Sequence, residues 1–313
     1  MGGKIELSQK TKSELAAIAN DNISGASLLF HRTLHLFPSI GEQLTGASQK
    51  DLTDFLSLFA DSIFHLRPCM APFAQLAQFL RHMSDNEFDL PVIRSAFAAL
   101  PHSYARRLKK EKEKIVDTAL AGLEGYQKIM VHSRSSIVES FLSFWLKQDE
   151  DREVWITESR PMCEGTMLAK ALSFLPNRKI LMVDDARGIA IQHVDAVLVG
   201  ADTISEKFII NKIGSHAVAL LANEHKIPVF VLAELIKFFP EDLALPEEQL
   251  HAGSEIDVQL KNVEYFNYYF EKIPLERIHR VISSNGVFDQ QEIADIFKKD
   301  HWNAFPIERA NTG

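Results

Sequence analysis

The sequence predicts an α/β protein: a mostly parallel, Rossmann-like sheet in a C-terminal domain, preceded by an all-helical N-terminal domain. Two features of the chain predict this. Up to about residue 125, apolar side chains recur at helical spacing. After Gly125, short apolar runs alternate with amphipathic stretches. That is the β-α-β pattern of a parallel sheet covered by helices on both faces, with right-handed crossovers. Length agrees, because 313 residues exceed the ~100–150 of a usual domain. The expected division is 1–125 and 126–313.

In the first part, Leu15, Ile18 and Ala19, then Leu28 and Leu29, fall at helical spacing, interrupted over 20–25. Ser48 followed by Asp51 is a helix start close to a capping box. Leu52, Phe55, Leu56, Phe59 and Ile63 then make one apolar face, and Pro68 stops that helix. Phe73, Leu76, Ala77 and Leu80 mark the next. Residues 96–126 are rich in Lys, Glu, Leu and Ala and read as a long linking helix, with Pro101 expected to shorten or kink its start.

In the second part the strand-like runs are 128–131, 153–157, 179–183, 196–199 and 228–231. The helical patterns between them are 136–146, 165–174, 186–192 and 215–223. Glycines and polar residues concentrate where these strands end, the edge at which open sheets bind ligands. Residues 239–253 are acidic and contain proline, a loop or surface excursion, and the tail after Asn303 is expected to be loose.

Net charge is -8 at pH 7, which argues against a broad nucleic-acid surface. The basic run 106–110 is followed at once by Glu111 and Glu113 and reads as a solvated, mixed-charge helix face. The two cysteines, Cys69 and Cys163, imply no disulfide framework and fit a reducing compartment. The N-terminus lacks signal-peptide character, and Glu6 stands where a myristoylation signal after Gly2 wants Ser or Thr. No apolar run reaches the ~18 residues of a membrane span. The expectation is a cytoplasmic protein, in its own cell or a host cell.

Three strand-end segments carry candidate chemistry. The first is 132–136. Ser133, Ser135 and backbone N–H groups at a helix start can cradle a phosphate that Arg134 neutralises; the alternative is plain helix capping by Ser135 or Ser136. The second is 158–165, where Arg160 can hold a phosphate by a two-donor fork, beside Cys163, Glu164 and Gly165; the alternative is a surface turn with a Glu–Arg ion pair. The third joins Asp202 to Asn211 and Lys212. Here a carboxylate tuned by its neighbours can act as an acid/base group, with Asn211 on sugar hydroxyls and Lys212 on phosphate; the alternative is a structural ion pair. Gly200 fits a close approach of backbone to ligand. The aromatics Tyr265, Phe266, Tyr268, Tyr269 and Phe270 lack interleaved arginines and read as packing, at a subunit interface, rather than base stacking. His31 and His35 lie four apart without a third ligand, so no metal is expected, and no cofactor either.

Taken together, these segments resemble one superfamily. It comprises the α/β/δ regulatory subunits of translation initiation factor 2B with their archaeal and bacterial homologues, ribose-1,5-bisphosphate isomerase and methylthioribose-1-phosphate isomerase. The resemblance is carried by HSRSSIVESFL (132–142), ESRPMCEGTMLAKAL (158–172), VDAVLVGADTI (194–204), NKIGSHAVALLANEHKIPVFVLA (211–233) and FEKIPLERIHRVISSNG (270–286). It implies a helical domain before a Rossmann-like one, a sugar-phosphate pocket between them, and a two-fold homodimer formed mainly by the C-terminal domains, with higher assembly left open. By position, Asp202 matches the isomerases' catalytic aspartate, Arg160 and Lys212 match phosphate or sugar contacts, and Asn211 a hydroxyl contact.

Departures from the family pattern shape the functional expectation. Ser133 stands at the best match to the isomerases' catalytic cysteine, and a serine hydroxyl has no accessible anionic state near neutrality. Ile23-Ser24-Gly25-Ala26 resembles an I-R-G-A segment whose arginine helps hold phosphate, but the arginine is missing and Gly25 remains. Asn285 stands where glutamate is common. The expectation is therefore a regulatory homologue resembling initiation factor 2B that binds a phosphorylated sugar or nucleotide, AMP or a ribose phosphate. Two alternatives stay open: an aldose–ketose isomerase using Asp202 with Cys163 or Ser133, and a protein-binding scaffold without ligand.

Overall fold

The computed structural model describes residues 5–256 and 260–298. The expectation for the tail after Asn303 and the terminal Gly2 lie outside the described residues.

Six helices come first: α1 (Gln9–Ala19), α2 (Ala26–Leu34), α3 (Phe37–Gln43), α4 (Gln49–Phe64), α5 (Ala71–Asp85) and α6 (Leu90–Gly122). The α4 start is a complete capping box, Ser48 and Asp51 each accepting from the other's backbone N–H, an arrangement worth about 1 kcal/mol. Leu52, Phe55, Leu56, Phe59 and Ile63 join Phe30, Phe37, Phe73 and Phe97 in one aromatic-rich core. The linking helix differs from expectation. It begins at Leu90, where Asp89 caps the Val92 N–H, and continues through Pro101, which is buried inside it. The mixed-charge face is also corrected at one residue. Arg106, Lys109 and Lys110 are exposed, but Glu111 is buried, paired with Arg107 at 3.2 Å and accepting from Leu235 N–H at 3.1 Å. Burial raises its pKa against the pull of Arg107.

The second half alternates β1 (Lys128–Val131), α7 (Ser136–Trp145), β2 (Glu153–Thr157), α8 (Glu164–Leu172), β3 (Lys179–Met182), α9 (Arg187–Ala190) and β4 (Ala196–Val199). It continues with β5 (Thr203–Ile204), β6 (Phe208–Lys212), α10 (Ser215–Glu224), β7 (Val229–Leu232), β8 (Phe270–Pro274), β9 (Arg280–Ser283), β10 (Gly286–Phe288) and α11 (Gln290–Lys298). A seven-stranded sheet has the order β10-β9-β7-β4-β1-β2-β3, parallel except for the β9–β10 hairpin. Its central strands are buried on both faces. Ile129 and Val131 face a core with α6, α7 and α8, while Met130 faces a core with α10 and α11, as the two-residue strand period requires.

One layer was not expected from the sequence. A small antiparallel sheet, β5-β6-β8, stands apart from the main one. β5 has only two residues, too few for a periodic signal, and β8, which pairs with β6, lies about sixty residues further on. The described part of the 239–253 excursion is irregular, as expected, with short 3-10 turns. Among the aromatics, Tyr269 is buried and Phe270 half-buried, whereas Phe266 is exposed.

Candidate functional site

From β1 the strand order runs outward through β2 and β3, then returns to place β4 on the other side of β1. Such a switch point leaves a crevice at the strands' C-terminal ends. There, residues 133–136 follow β1 and residues 200–202 follow β4. Gly200 packs directly on Ser135: a Cβ added to it would lie 2.6 Å from the Ser135 Cβ. The crevice opens into a cavity of about 280 Å³ between the helical and α/β halves. A hollow of about 970 Å³ also exists, but it is open and lies at the other end of the sheet, where β7 and β9 begin at Val229 and Arg280. The smaller cavity is the one lined by candidate residues.

Most of the candidate residues meet in this cavity. Gly25, Ser133, Arg134, Ser135, Asp202, Asn211 and Lys212 all line it. Gly25, which has no side chain to cap with, is the N-cap of α2, and Ser135, the N-cap of α7, makes no side-chain capping bond. The capping alternative for Ser135 is thereby not what its hydroxyl does, and Ser136 Oγ pairs with Lys112. Two helix N-termini thus face one hollow, an arrangement suited to an anion. The loop after β1 is held by Ser133 N–H donating to Ser159 Oγ at 2.7 Å, with Ser133 in a left-handed conformation (φ 68°).

The small sheet explains how residues 202 and 211–212 come together. Asp202 N–H donates to Ile210 C=O at 2.8 Å across the turn into β6. The helical half is tied to the same point: Ala71 N–H, at the start of α5, donates to Asp202 C=O and to Thr203 Oγ1. The ion pairs differ from the sequence alternative of an Asp202–Lys212 bridge. Lys212 Nζ pairs with Glu164 Oε1 and lies 4.9 Å above the Tyr269 ring. Asp202 Oδ1 instead meets Lys237 Nζ at 3.4 Å. Both ammonium groups are almost wholly buried. Asn211 donates its amide to Ser215 Oγ at 2.9 Å. Arg134 stands at the rim, bonded to Glu139 at 2.7 Å.

Arg160 and Cys163 are placed elsewhere. Ser159 and Arg160 N–H groups both donate to the Asp184 carboxylate, at 2.9 and 2.8 Å. This pins the loop so that the Arg160 guanidinium reaches Ile256 C=O at 2.7 Å, in a separate hollow with Ile213, Phe266 and Tyr268. It does not line the cavity, and among the described residues it makes none of the Glu–Arg ion pairs that the alternative expected. Cys163 is the N-cap of α8 and does not line the cavity. Cys69 is buried and its thiol is pushed up to about 12 by burial, so it offers no thiolate.

His132, beside the candidates, bridges the strand ends: its ring nitrogens meet Thr157 Oγ1 at 2.7 Å and Ile213 C=O at 2.8 Å. Burial lowers its pKa to about 4, so the imidazole is neutral and structural. Gly214 sits on this ring with φ 97°, where a Cβ would fall 2.9 Å from it.

Among the cavity residues that the sequence reading did not single out are Arg67, Glu234, Lys237 and, as a wall, Met70. Arg67 donates to Ala19 and Asp21 C=O at 3.1 and 3.0 Å. Glu234 and Lys237 follow β7. Two charges inside the apolar run VFVLAELIKFF were the available signal, since charges in such a run are buried with partners or used. Among the described residues no group of three metal-ligating side chains occurs, and no helix is long and apolar enough to cross a membrane.

A Rossmann-like sheet with a charged cavity at its switch point, closed by a helical half, defines a class of α/β proteins. The chain belongs to the Initiation factor 2 subunit family, whose sequence model matches residues 22–290. It is 26% identical to a ribose 1,5-bisphosphate isomerase of Pyrococcus furiosus, covering 92% of this chain and 93% of that one. It is 30% identical to translation initiation factor eIF2B subunit alpha of Caenorhabditis elegans, over 55% of this chain and 58% of that protein. Among solved structures, the translation initiation factor eIF-2B of Pyrococcus horikoshii OT3 superposes with a TM-score of 0.75 at 24% identity, covering 90% of this chain and 97% of that one. That likeness concerns the fold.

Proposed function

We propose that this protein binds a phosphorylated sugar or nucleotide, a ribose phosphate or AMP, in the cavity at the β1/β4 switch point, and acts as a regulatory homologue rather than an isomerase. One observation carries the reading: two uncapped helix N-termini and the buried Lys212 face the same hollow as Asp202 and Asn211. A phosphate meets N–H dipoles and an ammonium there, and the sugar meets carboxylate and amide. The volume is near the lower end of the ~300–1,000 Å³ of ligand pockets, enough for a pentose phosphate. Binding to Arg160 is not part of the proposal, because its guanidinium is held in a different hollow.

The reading without turnover rests on Ser133 and Cys163. Ring opening and proton transfer on a 1-phosphorylated sugar need an acid/base partner for Asp202. Ser133 lines the cavity, and Cys163 does not. The similarity to ribose 1,5-bisphosphate isomerases along nearly the whole chain supports the second reading, an isomerase working through Asp202 and Ser133. Calorimetric titration with AMP, ribose 5-phosphate and ribose 1,5-bisphosphate tests binding, and no heat with any of them in folded protein rejects it. Turnover of ribose 1,5-bisphosphate that disappears in Asp202→Asn selects the isomerase. Homodimerisation in the cytoplasm belongs to the same proposal. Leu181 on the edge strand β3, and Val183 and Ile189 after it, are exposed, and sedimentation of the intact chain measures the oligomeric state.

A further inference from the structure

Glu234 is 3% exposed, yet its Oε1 has no hydrogen-bond partner among the described residues. It lines the same cavity as Asp202 and Lys212. A buried carboxylate oxygen without a partner is costly, so its surroundings must explain why it stays. The backbone on its C-terminal side is held from the helical half. Leu235 N–H donates to Glu111 Oε2 at 3.1 Å, and Gln75 Nε2 donates to Phe238 C=O at 2.6 Å. Between them Ile236 is sunk in the helical core. Residue 234 is therefore fixed at the cavity wall. The nearest lysine in sequence does not neutralise it, because Lys237 Nζ is directed to Asp202.

A carboxylate accepts hydrogen bonds and donates none. It repels a phosphate and calls for a neutral donor. We propose that Glu234 accepts a hydrogen bond from a sugar hydroxyl of the bound ligand, so that the site prefers hydroxylated pentose phosphates over their deoxy forms. This rests on the sugar-phosphate reading above and adds an orientation to it. The phosphate lies toward Lys212 and the starts of α2 and α7, and the hydroxyl edge lies toward the end of β7.

The test is calorimetric titration of the full chain with ribose 5-phosphate and its 2-deoxy and 3-deoxy forms. The wild type is expected to bind ribose 5-phosphate about 10- to 100-fold more tightly than at least one deoxy form, the range for a hydrogen bond to a charged group. Glu234→Leu is expected to abolish that preference by weakening the hydroxylated ligand alone. If Glu234→Leu does not fold, Glu234→Gln decides, because its neutral acceptor should lower the preference severalfold. A preference unchanged by the variant, or equal weakening of all three sugars, overturns the role of Glu234 while leaving the binding site standing. Absence of binding by every sugar to folded wild-type protein overturns both.

Discussion

Replacing Lys212 by methionine separates what the cavity cation does for the fold from what it does for the ligand. The Lys212 side chain is 4% exposed and that of Glu164 is 15%, so the pair is largely dry. Removing one member of a buried pair costs roughly 3–5 kcal/mol, mostly because the other charge is orphaned. Glu164 already has Oε2 without a partner among the described residues, but it borders the cavity. Water there places the cost at the low end, about 3 kcal/mol. Methionine is an uncharged chain of similar length, so it removes the charge that lies over the Tyr269 and Phe270 rings without shortening the side chain much. Adding Glu164→Gln removes the orphaned charge and is expected to return about 2 kcal/mol of that loss. Urea unfolding of wild type, both single variants and the double variant measures this. Ribose 5-phosphate titration of the same proteins should show tenfold or greater weakening wherever Lys212 is absent, stable or not. A Lys212→Met protein as stable as wild type, or a double variant that regains nothing, refutes the orphaned-charge account. A stable double variant that binds like wild type removes Lys212 from the phosphate site.

Two further outcomes follow from the strand ends. His132 has a folded pKa of about 4 against an ordinary ~6.5, so between these values the unfolded chain binds the proton and the folded one does not. Its contribution is intact above pH 6.5 and shrinks as pH falls toward 4, by about 3 kcal/mol in all; urea midpoints across that window should fall in wild type and fall less in His132→Asn. Gly165→Ala would set a Cβ 1.7 Å from Thr157 C=O, whereas at Gly188 a Cβ meets nothing within 4 Å. The first is expected to lose about 3 kcal/mol and the second to change stability little, a difference readable by thermal melting; equal melting points would contradict the packing of α8 on β2.

Helices α4 and α5 and the strands at 128–131, 153–157 and 196–199 were legible because their signals are local. A capping box, a 3.6-residue apolar stripe and a short apolar run closed by glycine each arise from neighbours in the chain. Pro101 misled the α6 boundary, because a propensity cost of about 3 kcal/mol was outweighed by burial of Ile93, Phe97 and Leu100 in the helical core. Asp202, Asn211 and Lys212 were recognisable as candidate site residues from their strand-end position and from the family resemblance, and the structure brings them to one cavity. Their ionic partners were not, since Glu164 and Lys237 reach them from other strand ends.

By itself the sequence determined the alternation of helices and strands, the parallel sheet, and hence the edge at which the cavity opens, because periodicity and connection length dictate those. Tertiary structure alone decided the β5-β6-β8 sheet, the exchange of ion-pair partners, the removal of Arg160 to another hollow and the burial of Glu234 at the cavity wall. Each of these depends on which distant segments share a space of a few ångströms, and electrostatic and steric terms fall off too steeply for chain order to settle that choice.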